Sequence, residues 1–171
     1  GAVWSDQRQS IAPEVLTRMT NAISHRGPDD SQTWIDTSQR DAYGNHIGVA
    51  LGFRRLSIID LEGARQPMSN EDDTIQMVFN GEIFNYVELR PELEALGHRF
   101  STQSDTEVLL HLYEEYGTAM PGMLNGMFAL AILHVASGEM FLARDRFGKK
   151  PLFYAQNGGR FAFASGPQAL R

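Results

Sequence analysis

Asn80-Gly81-Glu82 closes an apolar run that begins at Ile75, and it sets a side-chain amide beside a glycine N–H. Neutral donors of this kind that converge on one oxygen can stabilise the oxyanion of acyl transfer. The same Asn-Gly pair is a favoured hairpin turn, and from the dipeptide alone both readings stand. Arg55, just past the apolar Val49–Phe53 run, could hold a carboxylate bidentately or form a surface ion pair with Asp60 or Glu62. Asp105 could take a ligand ammonium, or cap the helix that follows it, or do both. Arg144-Asp145-Arg146-Phe147-Gly148 alternates charge and reads as salt-bridged scaffolding.

Other chemistries lack their residues. His25, His46, His98, His111 and His134 show no paired ligand spacing, and the chain has 0 cysteines, so no metal site is expected. There is no phosphate-cradling GxxxxGK[ST], no GxGxxG after a strand and no GxSxG elbow, so no cofactor is expected in this domain. The absence of cysteine also removes a disulfide framework and any thiol nucleophile within these residues. With 15 basic against 21 acidic residues the net charge is −6, which argues against nucleic acid or an anionic membrane surface as partner. No apolar run approaches the ~18–20 residues of a spanning helix.

The elements that must position these groups can be read from periodicity. Pro13–Ser24 has helical spacing, with Val15, Leu16, Met19, Ala22 and Ile23 on one face, and His25-Arg26-Gly27-Pro28-Asp29-Asp30 breaks it. Strand-like runs lie at Gln32–Ile35, Ile47–Phe53 and Ile75–Asn80. Tyr86–Leu96 reads as a helix closed by Gly97, although Pro91 weakens it; Thr106–Tyr116 reads as a stronger one closed by Gly117. The last third turns to short strands at Met127–His134, Glu139–Arg144, Pro151–Ala155 and Arg160–Ala164. At 171 residues, with 42% apolar and 21% charged side chains, this is one α+β layered domain. The chain opens on apolar Gly1-Ala2-Val3-Trp4 without an initiator methionine and stops shortly after Ala164, so it reads as a fragment.

Taken together, the segments resemble the class II glutamine amidotransferase domain found at the N-terminus of glutamine-hydrolysing asparagine synthetases. His25-Arg26-Gly27-Pro28-Asp29 is similar to the family's early loop, and Arg55-Leu56-Ser57-Ile58-Ile59-Asp60 to its glutamine-carboxylate segment. Asn80-Gly81-Glu82-Ile83-Phe84-Asn85 matches its oxyanion segment nearly letter for letter. Ser104-Asp105-Thr106-Glu107, Gly126-Met127-Phe128-Ala129 and Arg144–Leu152 follow in order, so the likeness runs from Gly1 to Ser165. One departure is Ser165-Gly166-Pro167-Gln168-Ala169-Leu170, where the family usually has Ser-Glu-x-Lys-Ala-Leu.

The resemblance implies a four-layer αββα sandwich of two mainly antiparallel sheets, the N-terminal-nucleophile hydrolase fold, over residues 1–165. Residues 166–171 would begin a linker to an absent C-terminal synthetase domain. Family chains start with a cysteine whose thiolate attacks the glutamine amide while its own α-amine acts as base, and Gly1 would fall a few residues after it. By the same resemblance Arg55 would grip the glutamine α-carboxylate, with backbone around Ile58 and Ile59 beside it. Glu82 and Asp105 would hold the α-ammonium, and Asn80 and Gly81 would form the oxyanion hole. ATP and magnesium belong to the synthetase domain, which would amidate a carboxylate, most often aspartate. A catalytically silent structural domain and a glutamine-binding module remain as alternatives. A cytoplasmic location is the default expectation, and a homodimer is left open.

Overall fold

The computed structural model describes residues 1–40, 43–55, 65–135 and 137–171. Its strands and helices follow β1 (Ala2–Trp4), α1 (Pro13–Asn21), β2 (Asp30–Asp36), β3 (Gly48–Arg55), β4 (Met68–Ser69), β5 (Ile75–Ile83), α2 (Tyr86–Leu96), α3 (Asp105–Tyr116), β6 (Gly126–His134), β7 (Glu139–Arg144), β8 (Phe153–Asn157) and β9 (Arg160–Ala164). The strands form two antiparallel sheets, ordered β2-β3-β1-β9-β8 and β4-β5-β6-β7. Alternation along each strand then builds three apolar layers. Val49, Leu51, Ala131, Leu133 and Phe163 meet between the sheets. Ala2, Trp4 and Ala50 face the other way, onto Leu16 of α1. Met77, Phe79, Leu130 and Ile132 turn to Leu89, Leu93, Leu109 and Leu112 of α2 and α3. The order of layers is helix, sheet, sheet, helices: the αββα sandwich that the resemblance implies.

Helix boundaries follow local chemistry. Ser104, not Asp105, caps α3, its Oγ accepting from the Glu107 N–H at 3.3 Å. Asp105 is thereby the first helical residue, and its carboxylate is released for other work. Gly97, at φ 108°, closes α2 as expected. Pro91 sits inside α2 without ending it, because the carbonyl left without an N–H partner belongs to Val87, which is exposed to water. The first helix stops at Asn21, three residues short of the expected Ser24, and a 3₁₀ turn over Ser24–Arg26 takes its place. Near the C-terminus, β8 starts at Phe153 rather than Pro151, since proline has no N–H for the ladder. Pro167–Leu170 forms a further 3₁₀ turn that buries Ala169.

The largest departure from the sequence reading concerns β5. It continues through Asn80 and Gly81 to Ile83, with Asn80 opposite Ala129 and Gly81 opposite Phe128 on β6. Asn80-Gly81 is therefore strand interior and not a hairpin turn. Glycine is required there by a close approach: a Cβ on Gly81 would lie 2.1 Å from the Met127 carbonyl oxygen.

Candidate active site

Side-chain direction on β5 is set by parity. Val78 faces the inter-sheet core, while Met77, Phe79 and Ile83 face the helices. Asn80 and Glu82 share the parity of Val78 and so project to the inter-sheet side. There a cleft of about 500 Å³ opens at the ends of the two sheets. Arg55, Asn80, Gly81, Glu82 and Asp105 all line it, and so does Gly1 at the start of β1. These residues come from three separate stretches of sequence besides Gly1, and the fold brings them to one place. Ile58 and Ile59 lie outside the described residues.

Backbone direction on β5 is just as regular. In an antiparallel ladder, N–H and C=O groups alternate between the two sides of the strand. Thr74 accepts from Val135 N–H at 2.7 Å and Phe84 N–H donates to the Asn125 carbonyl at 2.7 Å, so even residues face the β6 side. Odd residues face the opposite edge. Ile75 N–H donates to Asn70 Oδ1 at 3.0 Å, Phe79 N–H to Gln66 Oε1 at 2.6 Å, and Ile83 N–H to Asp105 Oδ2 at 3.0 Å. The strand β4 pairs only with Gln76 and Met77, so these side chains replace a neighbouring strand. Gly81 has the same odd parity, and its N–H points off this edge between the Gln66 and Asp105 caps. It has no acceptor among the described residues. Its partner Phe128 is committed elsewhere, exchanging hydrogen bonds with Asp145 at 2.8 and 3.2 Å.

Asn80 Nδ2 is likewise buried with no hydrogen-bond partner. An unmet buried donor costs about 1–3 kcal/mol, and proteins seldom carry one without reason. Here a side-chain N–H and the adjacent backbone N–H are both left unfilled at one cleft wall. That arrangement suits an oxygen that becomes negative.

The acidic side of the cleft is under electrostatic tension. Burial pushes the Asp105 carboxyl up, against the backbone N–H groups of Ile83 and Thr106, and the Glu82 charge raises it further. A buried carboxyl pushed up beside a second carboxylate favours a cation at this wall of the cleft. Arg55 closes the end of β3, buried to 9% exposure, and its carbonyl accepts from Asp29 N–H at 3.1 Å. The loop containing Gly27 lies so close that a Cβ there would stand 2.6 Å from the Arg54 carbonyl carbon. Arg54 itself is spent on α1, donating to the Thr20 carbonyl and to Asn21 Oδ1.

The Arg144–Gly148 segment is scaffolding, but among the described residues it makes no salt bridge. Asp145 accepts four backbone N–H groups, from Phe128, Phe147, Lys149 and Lys150, at 2.9–3.2 Å. Arg144 donates to the Gly148 and Lys150 carbonyls. This turn delivers Lys150 and Leu152 to the cleft wall. Gln66 is a positioning residue that sequence reading missed; a buried glutamine that caps one strand N–H leaves no periodic signal.

Two antiparallel sheets layered between helices, with a polar cleft at their ends, define the class as an αββα sandwich domain. A profile of the glutamine amidotransferase domain family matches residues 1–171. The chain is 43% identical over 171 residues to asparagine synthetase [glutamine-hydrolyzing] 3 of Bacillus subtilis, covering 98% of this chain and 26% of that protein. It is 46% identical to asparagine synthetase [glutamine-hydrolyzing] 1 of the same organism, covering 92% and 23%. Glutamine phosphoribosylpyrophosphate amidotransferase from B. subtilis superposes with a TM-score of 0.75 at 23% identity, over 99% of this chain and 42% of that one. The chain belongs to the glutamine amidotransferase domain family and has the N-terminal-nucleophile hydrolase fold. It spans about a quarter of the length of the curated relatives it matches. Among the described residues no helix is long and apolar enough to cross a membrane.

Proposed function

We propose that this domain hydrolyses the side-chain amide of glutamine to glutamate and ammonia, and that the ammonia passes to an ATP- and magnesium-dependent synthetase domain of the complete protein, which amidates a carboxylate, aspartate in the first instance. The observation that carries the reading is the pair of unfilled donors, Asn80 Nδ2 and Gly81 N–H, in one cleft with Glu82 and the raised carboxyl of Asp105.

In this reading Arg55 binds the glutamine α-carboxylate, next to backbone around Ile58 and Ile59, and Glu82 and Asp105 bind the α-ammonium. A cysteine preceding Gly1 is the nucleophile; Gly1 lines the cleft, so a residue shortly before it issues into the same space. The free α-amine of that cysteine, with an ordinary pKa of ~8, takes the thiol proton. Thiolate attack places negative charge on the amide oxygen, which Asn80 and Gly81 receive. Collapse breaks the C–N bond and releases ammonia as the α-amine returns its proton. Water then cleaves the thioester to glutamate and regenerates the thiol.

The test uses the complete natural protein and a γ-electrophilic glutamine analogue. One equivalent should attach to an N-terminal cysteine and abolish ammonia release from glutamine, while synthesis fed with free ammonium persists. A natural chain that neither releases ammonia nor takes up the label would sink the hydrolase reading and leave a silent or glutamine-binding domain.

A further inference from the structure

On the far side of the β4–β7 sheet from the cleft, three segments meet around one carboxylate. His98 follows Gly97, held by its own N–H donating to the Leu93 carbonyl at 3.1 Å. His111 and Glu114 lie one turn apart on α3, and His111 is almost fully buried. We propose that His98, His111 and Glu114 form a binding site for a divalent transition-metal ion of the zinc class. One ligand atom from each lies within 4.8 Å of the others.

The direction of each ring is the main support. His98 Nδ1 and His111 Nδ1 both face Glu114 Oε2, at 3.4 and 2.7 Å. Ligands at ~2.0–2.1 Å around a tetrahedral zinc stand about 3.3 Å apart, so small adjustments seat an ion among these three atoms. Each outward nitrogen faces a second carboxylate. His98 Nε2 lies 2.9 Å from Glu115 Oε1, and His111 Nε2 lies 4.0 Å from Glu107 Oε1. For His98, at hydrogen-bond distance from Glu115, a carboxylate behind a metal-bound imidazole fixes the tautomer in this way and frees the inner nitrogen to ligate. The ligand carboxylate is itself oriented: Glu114 Oε1 accepts from Asn70 Nδ2 at 2.8 Å. Glu107 is held in place by Ser101 and Thr102, whose N–H and hydroxyl groups bind both its oxygens.

A simple set of ion pairs accounts for this less well. A neutral His98 would present a lone pair to one of its two carboxylates. The two rings stand with centroids 4.6 Å apart, and both inner nitrogens are turned to the same carboxylate oxygen. His111 Nε2 would still be buried without a hydrogen bond. Among the described residues, Glu114 and Glu115 have no lysine or arginine salt bridge. A dication held by both Nδ1 atoms and Glu114 Oε2 would occupy both inner nitrogens and balance the carboxylate. A shallow depression bordered by His98, Arg99, Ser101, Glu71 and Glu114 leaves the site open on one side, where a water could complete four-coordination. Histidine spacing alone did not suggest the site, because two of its ligands are 13 residues apart and the third is a glutamate.

The complete natural protein, stripped with a chelator, should bind one Zn²⁺ per chain at about 10 µM or below in a competition titration. Cobalt substitution should give the visible bands of a tetrahedral nitrogen–oxygen site without a thiolate charge-transfer band. His98→Ala and Glu114→Gln should each weaken binding at least ~10-fold. Zinc at a hundredfold excess over Kd should raise Tm by on the order of 5 °C in the parent and by about half of that or less in either variant. Failure to bind stoichiometrically in the parent overturns the proposal, as does binding that survives both substitutions or carries the thiolate band of a cysteine-held ion. Because the readouts are metal content and Tm, a failed glutaminase assay would leave this result standing.

Discussion

Asp105 and Asp145 are both mostly buried aspartates at the ends of elements in the same half of the molecule, yet their surroundings push them in opposite directions. Asp145 is desolvated, but four backbone N–H groups more than offset this and hold its carboxyl below the usual range. Asp105 is desolvated too. The backbone N–H groups it receives do not offset that burial, and the Glu82 charge raises it further, so its carboxyl rises. The difference separates scaffold from site. Where a carboxylate only shapes a turn, the chain supplies donors until the charge is comfortable. Where it lines the cleft, the chain leaves it short of donors, as a site built to take a cationic group would.

The contrast can be pressed experimentally. Asn80→Ala in the complete protein should reduce glutamine-dependent turnover by roughly 10²–10³, the loss expected of one oxyanion donor. Its Tm should hardly move, because Asn80 Nδ2 gives up no hydrogen bond. A turnover within a few-fold of the parent would remove Asn80 from the reaction. Asp145→Ala should do the opposite, stranding four N–H groups and lowering Tm by more than about 5 °C. An unchanged melting curve there would erase the distinction between the two aspartates.

Asp105→Asn is the finer probe. It relieves the repulsion with Glu82 and keeps an oxygen for Ile83 N–H, so Tm should rise by roughly 1–3 °C. Glutamine KM should increase at least ~10-fold with the loss of a charged acceptor. A lower Tm would show that Asp105 serves the fold rather than the ligand.

The smallest effect is on pH dependence. Asp145 and Glu107 are both depressed in the native state. Their stabilisation is fully present above the unfolded values of ~3.9 and ~4.3, and is lost as pH falls toward the lower native values. Asp105, being raised, works in the reverse sense: its ionisation weakens the fold once pH climbs past ~3.9. Acid titrations of Tm should therefore fall below about pH 4, and the slope should flatten in Asp145→Asn. An equally steep limb in that variant would assign acid sensitivity elsewhere.

Much of the layering was legible because it depends on period. The strand β5 announces itself by apolar alternation, and α2 and α3 by their spacing and by Gly97 and Gly117. Less legible was anything set by partners distant in sequence. Asn80-Gly81 looks like a turn until β6 is laid beside it and β5 is seen to run on to Ile83. The alternating charges of Arg144–Arg146 suggest ion pairs, whereas the count of N–H groups around Asp145 depends on the path of the turn. Ser104 and Asp105 are both acceptable caps by type; only the helix geometry selects Ser104. The candidate site was drawn together mainly by family resemblance, since Arg55, Asn80 and Asp105 carry no spacing rule of their own.

The two-residue length of β4 has a consequence for the protein's solubility. An uncovered strand edge is a template on which a stray chain can add a strand, and such addition needs a run of free alternate amides. Along β5, Asn70, Gln66 and Asp105 occupy the positions before and after Gly81. Among the described residues, what remains along this edge is a single open N–H, enough to receive one oxygen atom and too little to seed a second strand. An open donor can stand on this sheet edge without inviting self-association there.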